Sequence, residues 1–276
     1  MRIDAHHHLW DLTKRPQPWL TGPELDPIAR SFDFAELRPL LDRHGIDATV
    51  VVQSSSSLDE TRELLAVAEA SGGRIAGVVG WADLTDPALP DVLASLTGPL
   101  VGIRHQVQDE PDPWWLARAA VRRGLATVAA AGLAYDLLVT PRELPAALET
   151  VAALPELRFV LDHAAKPEIA SGGWEPWAAQ LAALGALPNV SCKLSGLVTE
   201  ATWAGWEPAD LLPYARHVLD VFGPARTLFG SDWPVCTLAA PYGAVLALAE
   251  SASTHLPPPD QAALFGATAA RVYGLT

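Results

Sequence analysis

Short apolar runs rich in β-branched residues recur along the chain, at Ile3–Leu9, Ala48–Gln53, Ile75–Trp81, Leu100–Gln106, Tyr135–Val139, Arg158–His163, Val190–Leu194 and Thr227–Gly230. Runs of this length, bounded by Gly, Pro and polar clusters, predict about eight strands. Between them apolar positions fall at helical spacing over Phe34–Arg43, Asp59–Ala70, Trp114–Ala131, Pro141–Leu154, Trp174–Leu184 and Pro208–Phe222. Asp33, Asp59 and Thr140 are read as N-caps, because a short side-chain oxygen there can accept from an orphan N–H of the first turn.

Strand and helix alternating through a whole chain predict parallel strands joined by right-handed crossovers. A doubly wound open sheet would usually carry a Gly-rich turn after its first strand, and here that strand ends in histidines and a tryptophan. About eight βα units within 276 residues fit an α/β fold of the (β/α)8 TIM-barrel type, read as one domain over residues 1–276. The segment Asp11 to Phe32, with Pro16, Pro18, Pro23 and Pro27, is long for a βα loop and is expected to fold over the barrel mouth.

Composition narrows the classes. Nineteen Lys and Arg against 32 Asp and Glu give a net charge of −13, which argues against a nucleic-acid partner. Half the residues are hydrophobic, enough for a large core. No apolar run is long enough to span a membrane and no signal-peptide core follows Met1, so a soluble cytoplasmic protein without a membrane partner is expected. Cys192 and Cys236 are too few for a disulfide framework and read as buried free thiols.

Catalytic groups of such barrels stand at the C-terminal ends of the strands. The first strand ends Asp4-Ala5-His6-His7-His8-Leu9-Trp10, and simple alternation puts Asp4, His6 and His8 on one face with His7 on the other. The fourth ends in Arg104-His105, the sixth in Asp162-His163-Ala164-Ala165-Lys166, and the eighth in Ser231-Asp232-Trp233-Pro234, while the seventh carries Lys193. A one-residue slip would exchange Arg104 and His105. Each group has a plainer reading: Asp232 as a turn residue, Lys166 as a solvated lysine, Trp10, Trp81 and Trp233 as caps of the core rather than sugar-stacking rings. The chain has only three lysines, Lys14, Lys166 and Lys193, yet two fall at expected mouth positions. Their joint placement around one mouth is far more specific than any single motif.

The segments Ile3-Asp4-Ala5-His6-His7-His8-Leu9-Trp10-Asp11, Val78-Val79-Gly80-Trp81-Ala82-Asp83-Leu84, Gly102-Ile103-Arg104, Leu161-Asp162-His163-Ala164-Ala165-Lys166-Pro167, Cys192-Lys193-Leu194-Ser195-Gly196-Leu197 and Gly230-Ser231-Asp232-Trp233-Pro234 resemble the amidohydrolase superfamily, in particular its lactonase branch. The resemblance implies hydrolysis of a cyclic ester, with a small-molecule lactone as partner, Asp232 as general base and His6, His8 and His163 polarising the carbonyl or holding the water. Arg104, with Lys166 or Lys193, would bind ring oxygens or the product carboxylate.

Metal-dependent members use further ligands that are missing here: the fifth strand offers no histidine, and Arg104, permanently protonated, cannot serve. The resemblance therefore implies either no required cofactor or one zinc held by His6, His8 and Asp232. Arg104 is the only arginine clearly at a strand end, which favours a neutral sugar lactone over a dicarboxylate pyrone. A zinc-dependent decarboxylase and a non-catalytic carbohydrate-binding barrel are the competing readings. Oligomeric state is not legible.

Overall fold

The computed structural model describes residues 1–275. Eight parallel strands follow one another in sequence order: β1 (Ile3–His7), β2 (Ala48–Val52), β3 (Ile75–Gly80), β4 (Leu100–Gln106), β5 (Ala134–Leu138), β6 (Arg158–Leu161), β7 (Val190–Leu194) and β8 (Thr227–Phe229). Around them lie α1 (Phe34–His44), α2 (Leu58–Ala70), α3 (Leu89–Ser95), α4 (Ala119–Ala130), α5 (Leu144–Ala153), α6 (Trp177–Gly185), α7 (Leu197–Glu200), α8 (Pro208–Phe222), α9 (Tyr242–Ala252), α10 (Pro258–Ala262) and α11 (Thr268–Tyr273). This is the expected (β/α)8 barrel.

Closure is made past the end of β8. His7 and Trp233 form a parallel bridge, Asp232 N–H donates to the His6 carbonyl at 2.8 Å, and His8 N–H donates to the Trp233 carbonyl at 2.7 Å. The seam of the barrel therefore runs directly beneath Asp232.

Ile3, Ala5, Val50, Val52, Val79, Val160 and Leu228 fill the lower barrel and pack on Ala269, Val272 and Tyr273 of α11. A second, larger apolar layer lies between the strands and the surrounding helices. Charged groups stand above this plug, on the mouth side. Among the described residues no helix is long and apolar enough to cross a membrane.

Several local expectations need correction. Asp33 caps α1 as expected, its carboxylate accepting from Glu36 N–H. Ser57 rather than Asp59 caps α2, because its hydroxyl is placed to accept from Glu60 N–H. Thr140 opens a turn in which the Glu143 carboxylate accepts from its N–H and hydroxyl, and α5 starts only at Leu144. The stretch Trp114–Ala131 breaks at Arg118, whose extended backbone separates a short 3-10 turn from α4.

Alternation also fails in β1. The register shifts between Asp4 and His7, so Asp4 turns outward to the hydroxyl of Tyr242 on α9 while His6 turns inward. Cys192 and Cys236 are buried free thiols.

Candidate active site

The mouth is built on two unusual pieces of backbone. β6 stops at Leu161, two residues earlier than expected, and His163, Ala164, Ala165 and Lys166 follow with φ of 51°, 50°, 59° and 50°. A left-handed conformation costs a non-glycine residue roughly 1–2 kcal/mol. The turn is held by Trp177 Nε1–H donating to the Ala164 carbonyl at 2.7 Å, and it faces His163 into the mouth. Asp232 is also left-handed, at φ 57°, and fixed by its N–H bond to His6. Strain of this kind persists where the surroundings over-determine the conformation.

His6 and His8 converge with their Nε2 atoms 3.1 Å apart. Asp232 Oδ1 lies 3.7 Å from His6 Nε2, 3.4 Å from His8 Nε2 and 3.9 Å from His163 Nε2. His8 Nδ1–H donates to the Val52 carbonyl at 2.8 Å, and His163 Nδ1 pairs with Ser195 Oγ at 2.9 Å. His7 points away, to Thr49 Oγ1.

Beneath His6 lies a fully buried ionic group. The Lys193 ammonium contacts Asp136, His6 Nδ1 at 3.0 Å and Asp162 Oδ1 at 2.9 Å. Asp136 is further held by Tyr273 Oη–H of α11 at 2.8 Å, and Arg104 Nη1–H donates to Asp162 Oδ2 at 2.9 Å. Two cations and two carboxylates balance, which is what makes their burial tolerable.

Electrostatics separate Asp232 from Glu200, whose pKa responds to its charge. Burial would raise the Asp232 pKa, but His163, His8 and Lys166 outweigh it and hold the group below its ordinary value. Glu200, at the end of α7, is pushed above its ordinary value by burial and by Asp232, against Lys166. Burial lowers the His163 pKa to about 4 and the His6 pKa well below its usual range, the latter with Lys193 adding to the effect. Both imidazoles are neutral at pH 7.

The donor set fits one metal ion. Ligand bonds of about 2.0–2.1 Å in a tetrahedral zinc site put ligand atoms roughly 3.3–3.4 Å apart. His6, His8 and Asp232 offer three such atoms at 3.1, 3.4 and 3.7 Å.

A cavity of about 140 Å³ opens above these groups, lined by His8, Trp19, Arg104, Gln106, His163, Lys166 and Asp232 among others. It adjoins a wider vestibule of about 460 Å³ that shares Trp19, Ser54, Gln106 and Asp109. The structure therefore gathers Asp232, His6, His8, His163, Arg104 and Lys166 at one mouth. His105 faces elsewhere, stacked 4.2 Å from Trp115, so Arg104 is the mouth residue of β4.

Four expected binding residues lie elsewhere. Lys193 is 0% exposed and sits behind His6, so its ammonium is shielded from a bound substrate. Trp10 donates to the Arg30 carbonyl and packs on Phe32, Trp233 is buried against the same ring, and Trp81 donates to His105 Nδ1. Trp19, from the Pro-rich loop, is the tryptophan in the mouth. Asp136 and Asp162 are site residues that sequence reasoning misses. Of these, Asp162 carries a usable signal, its place at the end of β6 beside His163.

The family profile described as amidohydrolase matches residues 3–275. L-fucono-1,5-lactonase of Burkholderia ambifaria is 45% identical over 99% of this chain and 95% of its own, and the enzyme of the same name from Burkholderia multivorans is 42% identical over 100% and 96%. A crystal structure of a Burkholderia multivorans amidohydrolase with bound zinc superposes with a TM-score of 0.95 at 42% identity, covering both chains completely. The chain belongs to the amidohydrolase family.

Proposed function

We propose that the protein is a lactonase that opens a neutral sugar 1,5-lactone, of the L-fucono-1,5-lactone class, to its hydroxy acid. The observation that carries this reading is an ionised Asp232 facing the paired His6 and His8 in a mouth with one uncommitted cation. Of the cations lining that cavity, Arg104 is bound to Asp162, which leaves Lys166 for a ligand. The remaining walls are the carboxylate of Asp109 and the neutral Trp19, Ser54, Gln106, Gln108, Leu138 and Val235, which suit hydroxyls and C–H faces. The names of the Burkholderia relatives point the same way.

Asp232 takes a proton from water as the water oxygen attacks the lactone carbonyl. His8 Nε2, 3.4 Å from Asp232 Oδ1, orients the carboxylate towards the water. The carbonyl oxygen, becoming an oxyanion, lies against the Nη1–H of Arg104 that points towards His6 Nε2, 3.5 Å away. On collapse the ring C–O bond breaks and Asp232 returns the proton to the leaving alkoxide. Lys166 then holds the product carboxylate. An ester needs no stronger base than a low-pKa carboxylate.

A second reading rests on the spacing of the donor set. A zinc ion held by His6, His8 and Asp232 would polarise the carbonyl. Acid release from a panel of aldonolactones, followed with a pH indicator on chelator-treated protein beside Asp232→Asn, tests both. Turnover by the treated enzyme and none by the variant supports a metal-independent lactonase with Asp232 as base. Turnover only after zinc is restored would replace it with the metal-dependent one.

A further inference from the structure

The inner cavity above Asp232 measures about 140 Å³, well under the roughly 300 Å³ at which small-molecule clefts begin. A sugar lactone with its carbonyl at Asp232 therefore reaches outward, through the neck that the cavity shares with the vestibule. Four side chains make that neck: Trp19, Ser54, Gln106 and Asp109.

Three of them have spent their hydrogen bonds within the protein. Trp19 Nε1–H is given to Gln17 Oε1 at 3.0 Å and to the Ser54 carbonyl at 3.1 Å. Ser54 Oγ accepts from Gln17 Nε2–H at 2.7 Å and donates to the buried Glu60 carboxylate. Gln106 Nε2–H donates to the same Ser54 carbonyl at 2.9 Å, and its Oε1 accepts from Ser56 Oγ–H at 2.6 Å. The other charged groups of the vestibule are likewise engaged, Arg15 with Glu63 and Glu110 with His105.

Asp109 is the exception. Among the described residues its carboxylate enters no ion pair, and its one hydrogen bond is a long one, from Gln108 Nε2–H at 3.4 Å. Its backbone is nonetheless fixed. Asp109 ends the 3-10 turn Val107–Asp109, which Glu110 N–H closes onto the Val107 carbonyl at 3.0 Å. On either side the Gln108 and Glu110 carbonyls accept from Arg142 Nη2–H at 3.3 and 2.7 Å. A carboxylate with open lone pairs on a braced turn is ready to accept from donors that a ligand brings.

We propose that Asp109 is the specificity-determining residue for the sugar ring, accepting hydrogen bonds from its hydroxyls while Trp19, whose N–H is already spent, offers only its ring to the C–H face. An anionic acceptor at the neck selects polyhydroxylated neutral lactones: hydroxyls supply donors, an unsubstituted ring supplies none, and an anionic ring is repelled. The two uncommitted charges of the mouth then divide the substrate, Lys166 taking the product carboxylate and Asp109 the hydroxyl-bearing end. This inference deepens the lactonase reading and rests on it.

The test compares kcat/KM for L-fucono-1,5-lactone with that for δ-valerolactone, the same ring ester without hydroxyls, in the unmodified protein, Asp109→Ala and Asp109→Asn. Asp109 is exposed, so both variants are expected to fold. Loss of hydrogen bonds to a charged acceptor should lower the ratio of the two values roughly 10–100-fold in Asp109→Ala, mostly through KM, and less in Asp109→Asn, which keeps an acceptor oxygen. An unchanged ratio, including an equal fall for both lactones, would overturn the proposal. If the unmodified protein turns over neither lactone, the lactonase reading fails, and binding of L-fucopyranose, which carries the same ring hydroxyls, decides by ligand-observed NMR. Weaker binding by Asp109→Ala would then support the proposal, and equal binding by the two proteins, or none by the unmodified one, would overturn it.

Discussion

The Nε2 atoms of His6 and His8 stand 3.1 Å apart, a distance two opposed lone pairs cannot hold without a proton or a cation between them. A ring N–H of either imidazole supplies the proton without an ion. Removal of metal with a strong chelator is therefore expected to leave kcat within about twofold, and added zinc should not raise it. Metal analysis beside initial rates checks this, and loss of activity restored by zinc would reverse it.

Asp232→Asn keeps size and shape but removes the base. A positioned general base contributes roughly 10²–10⁴-fold, so kcat should fall by that order with KM little changed. Far-UV circular dichroism of the variant should match that of the unmodified protein.

The pH profile follows from the same residue. Its pKa is lowered by His163, His8 and Lys166 against burial, so the active carboxylate is present above that pKa and lost as pH falls through it. The acid limb of kcat/KM should lie below the ordinary carboxylate value, with a plateau through neutral pH. A limb near pH 6 to 7 would point instead to a histidine base.

Gly196 has φ 66°, and a Cβ there would stand 2.5 Å from His163 Nδ1. Gly196→Ala forces His163 away from Ser195 and strains the backbone, at a cost of about 1–2 kcal/mol. Expected are a lowered melting temperature and a kcat loss larger than the stability loss explains.

Lys166→Met removes the mouth cation free to meet a ligand. Inhibition by the product acid should weaken by about tenfold or more, while KM for the neutral lactone changes less. Equal effects on both would show that Lys166 does not contact the carboxylate.

Much of the fold and of the site is legible in the sequence because barrel strands and their polar ends follow a regular rhythm. Asp232, His163 and the His6–His8 pair stand out by position alone. What escapes depends on departures from that rhythm. A register shift in β1 turns Asp4 outward, and a left-handed turn after β6 ends the strand two residues early. Three tryptophans at strand ends suggest sugar platforms, but the loop from Asp11 to Phe32 folds over Trp10 and brings Trp19 to the mouth instead. Lys193 looks like a ligand contact because β7 places it high in the barrel, and only its partners reveal that it lies behind His6, paired with buried carboxylates.

The seam between β1 and β8 gives the molecule a built-in gauge of its own integrity. The bonds that close it join His6 and His8 to Asp232 and Trp233, so any loosening there separates the base from the imidazoles before the helices or the lower core give way. In a denaturant titration, catalytic rate should decline ahead of the loss of helical signal, reporting on the last stitch of the barrel rather than on the bulk of the fold.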